Sequence, residues 1–221
     1  MTTEIPGVAG YGVNAAALAA QYESITFEEV YRDLIHFLPA SPVSVLDIGA
    51  GSGRDAAALT CRGYQVVAVE PTPELRREGQ VRHGALGIEW VDDHLPTLKV
   101  TRQAKRRFGL ILLGAVWMHL DLPERKAAME AVAGLVVDGG QVFMSLRHGP
   151  IPAGRRMFDV SAEETANLAA EHGLYCHSRC EREDALGRSG VRWSFLALQR
   201  FTLKPRTDGL DEDAVRAGRP A

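Results

Sequence analysis

The sequence predicts an α/β protein, a mostly parallel sheet with helices on both faces and one reversed strand near an edge. Three observations carry this reading. Short, nearly continuous apolar runs alternate with segments of helical periodicity, the pattern of strands buried on both faces. The first of these runs flows into a glycine-rich turn that opens a helix. The last two runs are joined only by residues 184–190, too short for a parallel crossover, so they pair antiparallel.

Taken in order, residues 14–38 place Leu18, Tyr22, Ile25, Val30, Leu34, Phe37 and Leu38 at helical spacing and predict one or two helices that end near Pro39 and Pro42. Residues 44–49 are a buried strand. Residues 53–62 are a helix stopped by Gly63. A second strand (65–70), a polar helix from Pro73, a third strand (87–91) and a fourth (108–114) follow. Asp121, Pro123 and Glu124 form a helix start with a capping acid, an early proline and a third-position acid. That helix is expected to run to about Val137, with the fifth strand at 141–147. Ser161 and Glu164 cap a further helix ending at Gly173, and residues 175–181 and 191–200 are the last strands. The expected organisation is an N-terminal helical cap over 1–40, a main domain over 41–203 and a loose tail over 204–221.

With 25 basic and 28 acidic side chains the chain is net −3, so it lacks the long-range attraction to phosphate backbones of a dedicated nucleic-acid binder. No apolar run reaches the roughly 18 residues of a membrane span. The N-terminus reads as no secretory signal. Cys61, Cys176 and Cys180 are an odd, sparse set without metal-site spacing, which suits a reducing, cytoplasmic compartment. A small-molecule partner is expected, with no nucleic acid or membrane, and the oligomeric state is open.

The most informative segment is Val45-Leu46-Asp47-Ile48-Gly49-Ala50-Gly51-Ser52-Gly53. Its glycines let a ligand approach the backbone where open α/β sheets bind ligands, outside the carboxyl ends of the strands. Arg54 stands where the dinucleotide fingerprint needs its third glycine. A diphosphate is repelled by Asp47 at the turn, whereas a ligand carrying an ammonium group is attracted. Glu70, ending the second strand, can accept both hydroxyls of a ribose. The two acids together favour a cationic nucleoside without phosphates.

On these residues the sequence resembles the class I S-adenosylmethionine-dependent methyltransferases over roughly residues 14–200. Val45 to Gly53 is similar to the family's first motif, Glu70 to its ribose acid, and Trp90-Val91-Asp92-Asp93-His94-Leu95-Pro96 to its third motif. The resemblance implies a Rossmann-like seven-stranded sheet of order 3-2-1-4-5-7-6 with strand 7 reversed. It implies S-adenosyl-L-methionine as cofactor, held by Asp47, Gly49, Ala50, Gly51, Gly53, Glu70 and Gly114, with Asp92, or its rival Asp93, on the adenine amine.

After the fourth strand the chain reads Gly114-Ala115-Val116-Trp117, without the Pro-Pro-Tyr segment of amino-methyltransferases of DNA or the cysteine of cytosine C5 enzymes. This resembles the small-molecule branch. There Tyr22 is a candidate cover for the methionine end of the cofactor, or simply a packing residue. Trp117 either stacks near adenine, lines the acceptor pocket or packs the core beneath the helix that starts at Asp121. His119, just after the fourth strand, is a candidate base or a loop anchor, and His148 is the second candidate. Arg147, Arg155 and Arg156 lie in a glycine- and proline-shaped loop after the fifth strand. They either clamp an anionic acceptor or pair with local acids such as Asp159, Glu163 and Glu164. The expected reaction is methyl transfer to a small O- or N-nucleophile. An NAD-dependent oxidoreductase and a non-catalytic methyltransferase-like binding protein are the alternatives.

Overall fold

A computed structural model describes residue 5 and residues 10–201. The strands are β1 (Ser44–Ile48), β2 (Gln65–Val69), β3 (Glu89–Val91), β4 (Phe108–Gly114), β5 (Val136–His148), β6 (Leu174–Glu183) and β7 (Arg192–Arg200). The helices are α1 (Ala15–Glu23), α2 (Phe27–Tyr31), α3 (Arg54–Cys61), α4 (Pro73–His83), α5 (Lys99–Gln103), α6 (Leu122–Leu135) and α7 (Ala162–Glu171). The seven strands form one sheet of order β3-β2-β1-β4-β5-β7-β6. β7 runs antiparallel to both β5 and β6, and the other pairings are parallel. Order and reversed strand are those expected from the sequence.

Strand alternation divides the core. Val45, Ala68, Leu112, Phe143 and Ala197 face Phe27 and Tyr31 of α2 and Ala56 and Leu59 of α3. Leu46, Ile111, Val142 and Leu196 face Met129 and Val132 of α6 and Leu168 of α7. Each large side chain taken out of water contributes about 1.5–3 kcal/mol, and both faces do so along the central strands. α2 is therefore part of the sheet's cover: its Phe27 and Tyr31, and Leu34 just beyond it, are all fully buried. α1 packs separately on α4 through Ala15, Ala19 and Leu75. The tail expected over 204–221 lies outside the described residues.

Two elements differ from the sequence reading. α6 stops at Leu135, and β5 begins at once with Val136, which pairs with Phe108. The next pair is Leu110 with Gln141, so β5 takes five steps where β4 takes two. The Asp138-Gly139-Gly140 segment expected to separate helix from strand is instead a bulge inside the strand. α5 is absent from the sequence reading because its five residues show no usable apolar period. It is nucleated by Asp93, whose carboxylate accepts from the Thr101 amide and hydroxyl, both at 2.8 Å.

The third strand carries a packing device. The Trp90 indole lies against Gly53 and Gly79, where a Cβ would come within 2.8 Å and 2.2 Å of the ring. At Gly79 the Cβ would also meet the Ser52 carbonyl at 2.8 Å. Ala in place of Gly within a helix ordinarily stabilises by up to about 1 kcal/mol. Here Gly79→Ala is expected to destabilise by about 1–3 kcal/mol, read as a lowered midpoint in urea. An unchanged or raised midpoint would mean that Trp90 is free to move away.

Candidate functional site

The glycine turn after β1 is pinned from three sides. The Gly49 and Ala50 amides donate to the Val69 carbonyl at the end of β2, at 2.8 and 2.9 Å. The Gly51 amide donates to Glu70 Oε2 at 2.8 Å. Gly49 and Gly51 have φ of +73° and +57°, in the left-handed region that disfavours a Cβ. At Gly49 a Cβ would lie 2.4 Å from Val116 of the loop after β4, and at Gly51 it would touch the Tyr22 ring at 3.3 Å. α1 thus lays Tyr22 over the turn.

The acids take distinct places. Asp47 is buried, and one of its oxygens, Oδ2, has no hydrogen-bond partner among the described residues. Burial, and next the Asp55 carboxylate, drive its pKa well up. Such a site gains from a cation brought to the turn. Glu70 is also buried. Its Oε1 accepts from the Thr72 amide at 2.8 Å, so it spans the turn and the start of α4. Burial raises its pKa against those hydrogen bonds. Asp92 is exposed and pairs with Arg76 at 2.9 Å, and Arg76 also donates to the Glu70 carbonyl. Asp93 is committed elsewhere: besides Thr101, its other oxygen accepts from the His94 amide at 2.9 Å. Of the two rivals, the structure leaves Asp92 exposed and buries Asp93 against Thr101 in the first turn of α5.

Gly114 ends β4 above a buried cluster. A Cβ there would meet the Tyr31 hydroxyl at 3.0 Å and Asp55 at 3.6 Å. Asp55 is held by Arg54 at 2.7 Å, and Arg54 in turn donates to the Tyr22 carbonyl at 3.1 Å. The next residue, Ala115, takes φ +58° and donates its amide to Ser145 of β5 at 2.9 Å. This left-handed alanine turns the chain sharply away from the strand end.

That turn places His119. Its Nδ1 lies 2.7 Å from the Arg156 carbonyl, and its Nε2 lies 2.9 Å from the Tyr11 hydroxyl. A carbonyl only accepts, so neutral His119 carries its proton on Nδ1 and accepts from Tyr11 at Nε2. Burial lowers the His119 pKa; Arg155, Arg156 and Arg147 lower it further, while the Arg156 carbonyl opposes. One ring nitrogen thus anchors the loop, and the other faces a phenol.

Trp117 is corrected. It is wholly buried in the core with α6 and α7 and lines no open surface. Trp117→Ala should cost about 3–5 kcal/mol of stability, measured by thermal or denaturant unfolding. A loss under 1 kcal/mol would contradict this placement. Arg156 is likewise drawn off. It pairs with Glu124 at 2.7 Å and Asp121 at 3.2 Å, the capping acids of α6, and not with the acids suggested by sequence proximity. His148 alternates away from Arg147 on β5, and its Nε2 lies 2.7 Å from Ser194 Oγ. Arg147 donates to the Pro150 carbonyl at 2.8 Å. The Arg155 guanidinium carbon sits 3.3 Å above the centre of the Tyr11 ring.

Tyr11 is the residue that sequence reasoning missed. It precedes the first periodic segment, so no helical pattern flagged it. Its signal is an aromatic between Gly10 and Gly12, a side chain carried on a backbone free to turn.

The comparisons bear on this geometry. A family model described as a methyltransferase domain matches residues 22–197. An uncharacterized methyltransferase of Alkaliphilus oremlandii is 28% identical over 102 residues, covering 45% of this chain and 44% of the relative. A ubiquinone biosynthesis O-methyltransferase of Xylella fastidiosa is 29% identical over 109 residues, 49% of this chain and 43% of the relative. The matched segments thus span about half the length of these curated relatives. Among solved structures, magnesium protoporphyrin IX methyltransferase from Synechocystis PCC 6803 with bound SAM aligns with a TM-score of 0.63. It shares 14% identity, over 86% of this chain and 84% of that one. The fold, the pinned glycine turn and the family match over most of the described residues lead to one conclusion: the chain belongs to the methyltransferase domain family.

Proposed function

We propose that the protein transfers a methyl group from S-adenosyl-L-methionine to a small-molecule O- or N-nucleophile. The observation that carries this is a glycine turn roofed by Tyr22 beside Asp47, a buried acid whose Oδ2 lacks a partner among the described residues. That site suits a cationic nucleoside and disfavours the diphosphate of NAD. Glu70 would receive the ribose, Asp92 the adenine amine and Asp47 the positive end of the ligand, with Tyr22 as cover. Bound there, S-adenosylmethionine supplies a methyl group activated by its sulfonium charge.

The chain's own part is positioning, exclusion of water and proton transfer. Tyr11 accepts the proton of an acceptor hydroxyl or ammonium while passing its own to His119 Nε2. A lowered His119 pKa keeps the imidazole neutral and ready for that proton. The O-methyltransferase relative supports an oxygen nucleophile by similarity, and the free thiols suit a cytoplasmic setting. Calorimetry is the test. S-adenosylhomocysteine should bind in the micromolar range, and NAD should not bind. Binding of NAD alone would support the oxidoreductase reading instead.

A further inference from the structure

Four arginines act on His119, Tyr11 and Tyr22, and their charges are not balanced alike. Arg156 has Asp121 and Glu124. Arg188 is held by Asp184 through two hydrogen bonds, and Asp184 is further fixed by the Trp193 indole at 2.8 Å. Among the described residues, Arg147 and Arg155 have no carboxylate within ion-pair distance. Each also buries a guanidinium nitrogen without a hydrogen-bond partner, Nε of Arg147 and Nη1 of Arg155. A cation partly stripped of water and given only a carbonyl or an aromatic face is unfavourable alone. Such an arrangement is stabilised by an anion.

The position of the pair gives the anion a role. Arg147 is the penultimate residue of β5. Neighbouring Ser145 holds the turn after β4, from which His119 projects. Arg155 covers the face of the Tyr11 ring, and His119 meets the hydroxyl of that same ring. One phenol therefore links a free guanidinium to the proton-accepting imidazole. Both pKa values are lowered: Arg147 by burial and by Arg188, against the Asp184 carboxylate that Arg188 already holds, and His119 by burial and by the surrounding arginines.

We infer that Arg155 and Arg147 form an anion clamp that selects acceptors carrying a carboxylate or phosphate on the same short frame as the methylated hydroxyl or amine. This rests on the proposed methyl transfer and names its substrate class. Guanidinium forks bind either anion through paired charge-assisted hydrogen bonds, so the two sources are separated by experiment. The protein saturated with S-adenosylhomocysteine is titrated with 4-hydroxybenzoate, 4-hydroxyphenyl phosphate and neutral 4-hydroxybenzamide. At least one anion should bind ten or more times more tightly than the amide, and the stronger of the two identifies carboxylate or phosphate. Arg155→Gln should weaken that anion at least tenfold, Arg147→Gln less, and Arg155→Lys to an intermediate extent, with S-adenosylhomocysteine affinity unchanged in all three. The clamp is overturned if the amide binds as well as both anions, if neither anion binds, or if both glutamine variants bind the anions as the wild type does. Failure of S-adenosylhomocysteine to bind the wild type would instead overturn the methyltransferase reading.

Discussion

Gly51→Val is expected to abolish S-adenosylhomocysteine binding. Three consequences of one substitution converge. Residue 51 sits at φ +57°, where a β-branched side chain is strained. Its Cβ would lie 3.3 Å from the Tyr22 ring and press on it. The branched side chain would also stand in the path along which a ligand approaches the turn. The Gly51 amide bond to Glu70 is at risk as well, so a loss of about 1–3 kcal/mol of stability is expected. Thermal unfolding must therefore accompany the calorimetry. A folded variant that binds as the wild type does would remove the turn from the site.

His119→Ala is expected to lower turnover by about 10²-fold or more, with cofactor affinity retained. Tyr11→Phe should show a comparable loss if the phenol relays the proton. The pH dependence has a defined sign. The His119 pKa lies below its ordinary value of about 6.5 because burial and the nearby guanidiniums disfavour the imidazolium. Turnover should hold down to pH 6.5, then fall as the ring takes a proton, and the same window should cost folding stability because the folded state prefers the neutral ring. NMR titration of the ring checks the shift without any acceptor. A midpoint at or above 6.5, or full turnover in His119→Ala across pH 6 to 9, would leave His119 as a loop anchor only.

The sheet was legible because its strands are buried on both faces and so are written as continuous apolar runs. The antiparallel pair was legible from the short link at 184–190 alone. What was not legible is local competition. Nothing in Asp138-Gly139-Gly140 distinguishes a helix-ending turn from a bulge; only the register against β4 decides. The glycine turn could be located from spacing, but the reason for Gly53 and Gly79 is a tryptophan from another strand. Asp92 and Asp93 are adjacent identical residues, and their separation into an exposed and a buried carboxylate depends on Thr101, eight residues from Asp93. Arginine roles were least legible, since Arg156 found its partners in the cap of α6 and, among the described residues, left Arg147 and Arg155 without a carboxylate within ion-pair distance.

Glu70 shows how the structure alters an energetic expectation. The sequence presents a carboxylate free to hold a ribose. The structure shows one already accepting two amides, from Gly51 and Thr72. Truncation to Ala would strand both donors and destabilise the turn. Glu70→Gln, which keeps the shape and one acceptor oxygen, is therefore the better probe of the ribose contact.

We propose the edge formed by the glycine turn, Glu70 and Asp92 as the cofactor site. A crystal structure of the protein with S-adenosylhomocysteine tests it most directly. The ribose hydroxyls are expected on Glu70, the adenine amine on Asp92 and the homocysteine end against the Asp47 turn beneath Tyr22. A nucleoside bound elsewhere, or one reversed so that its base lies by Asp47, would contradict it.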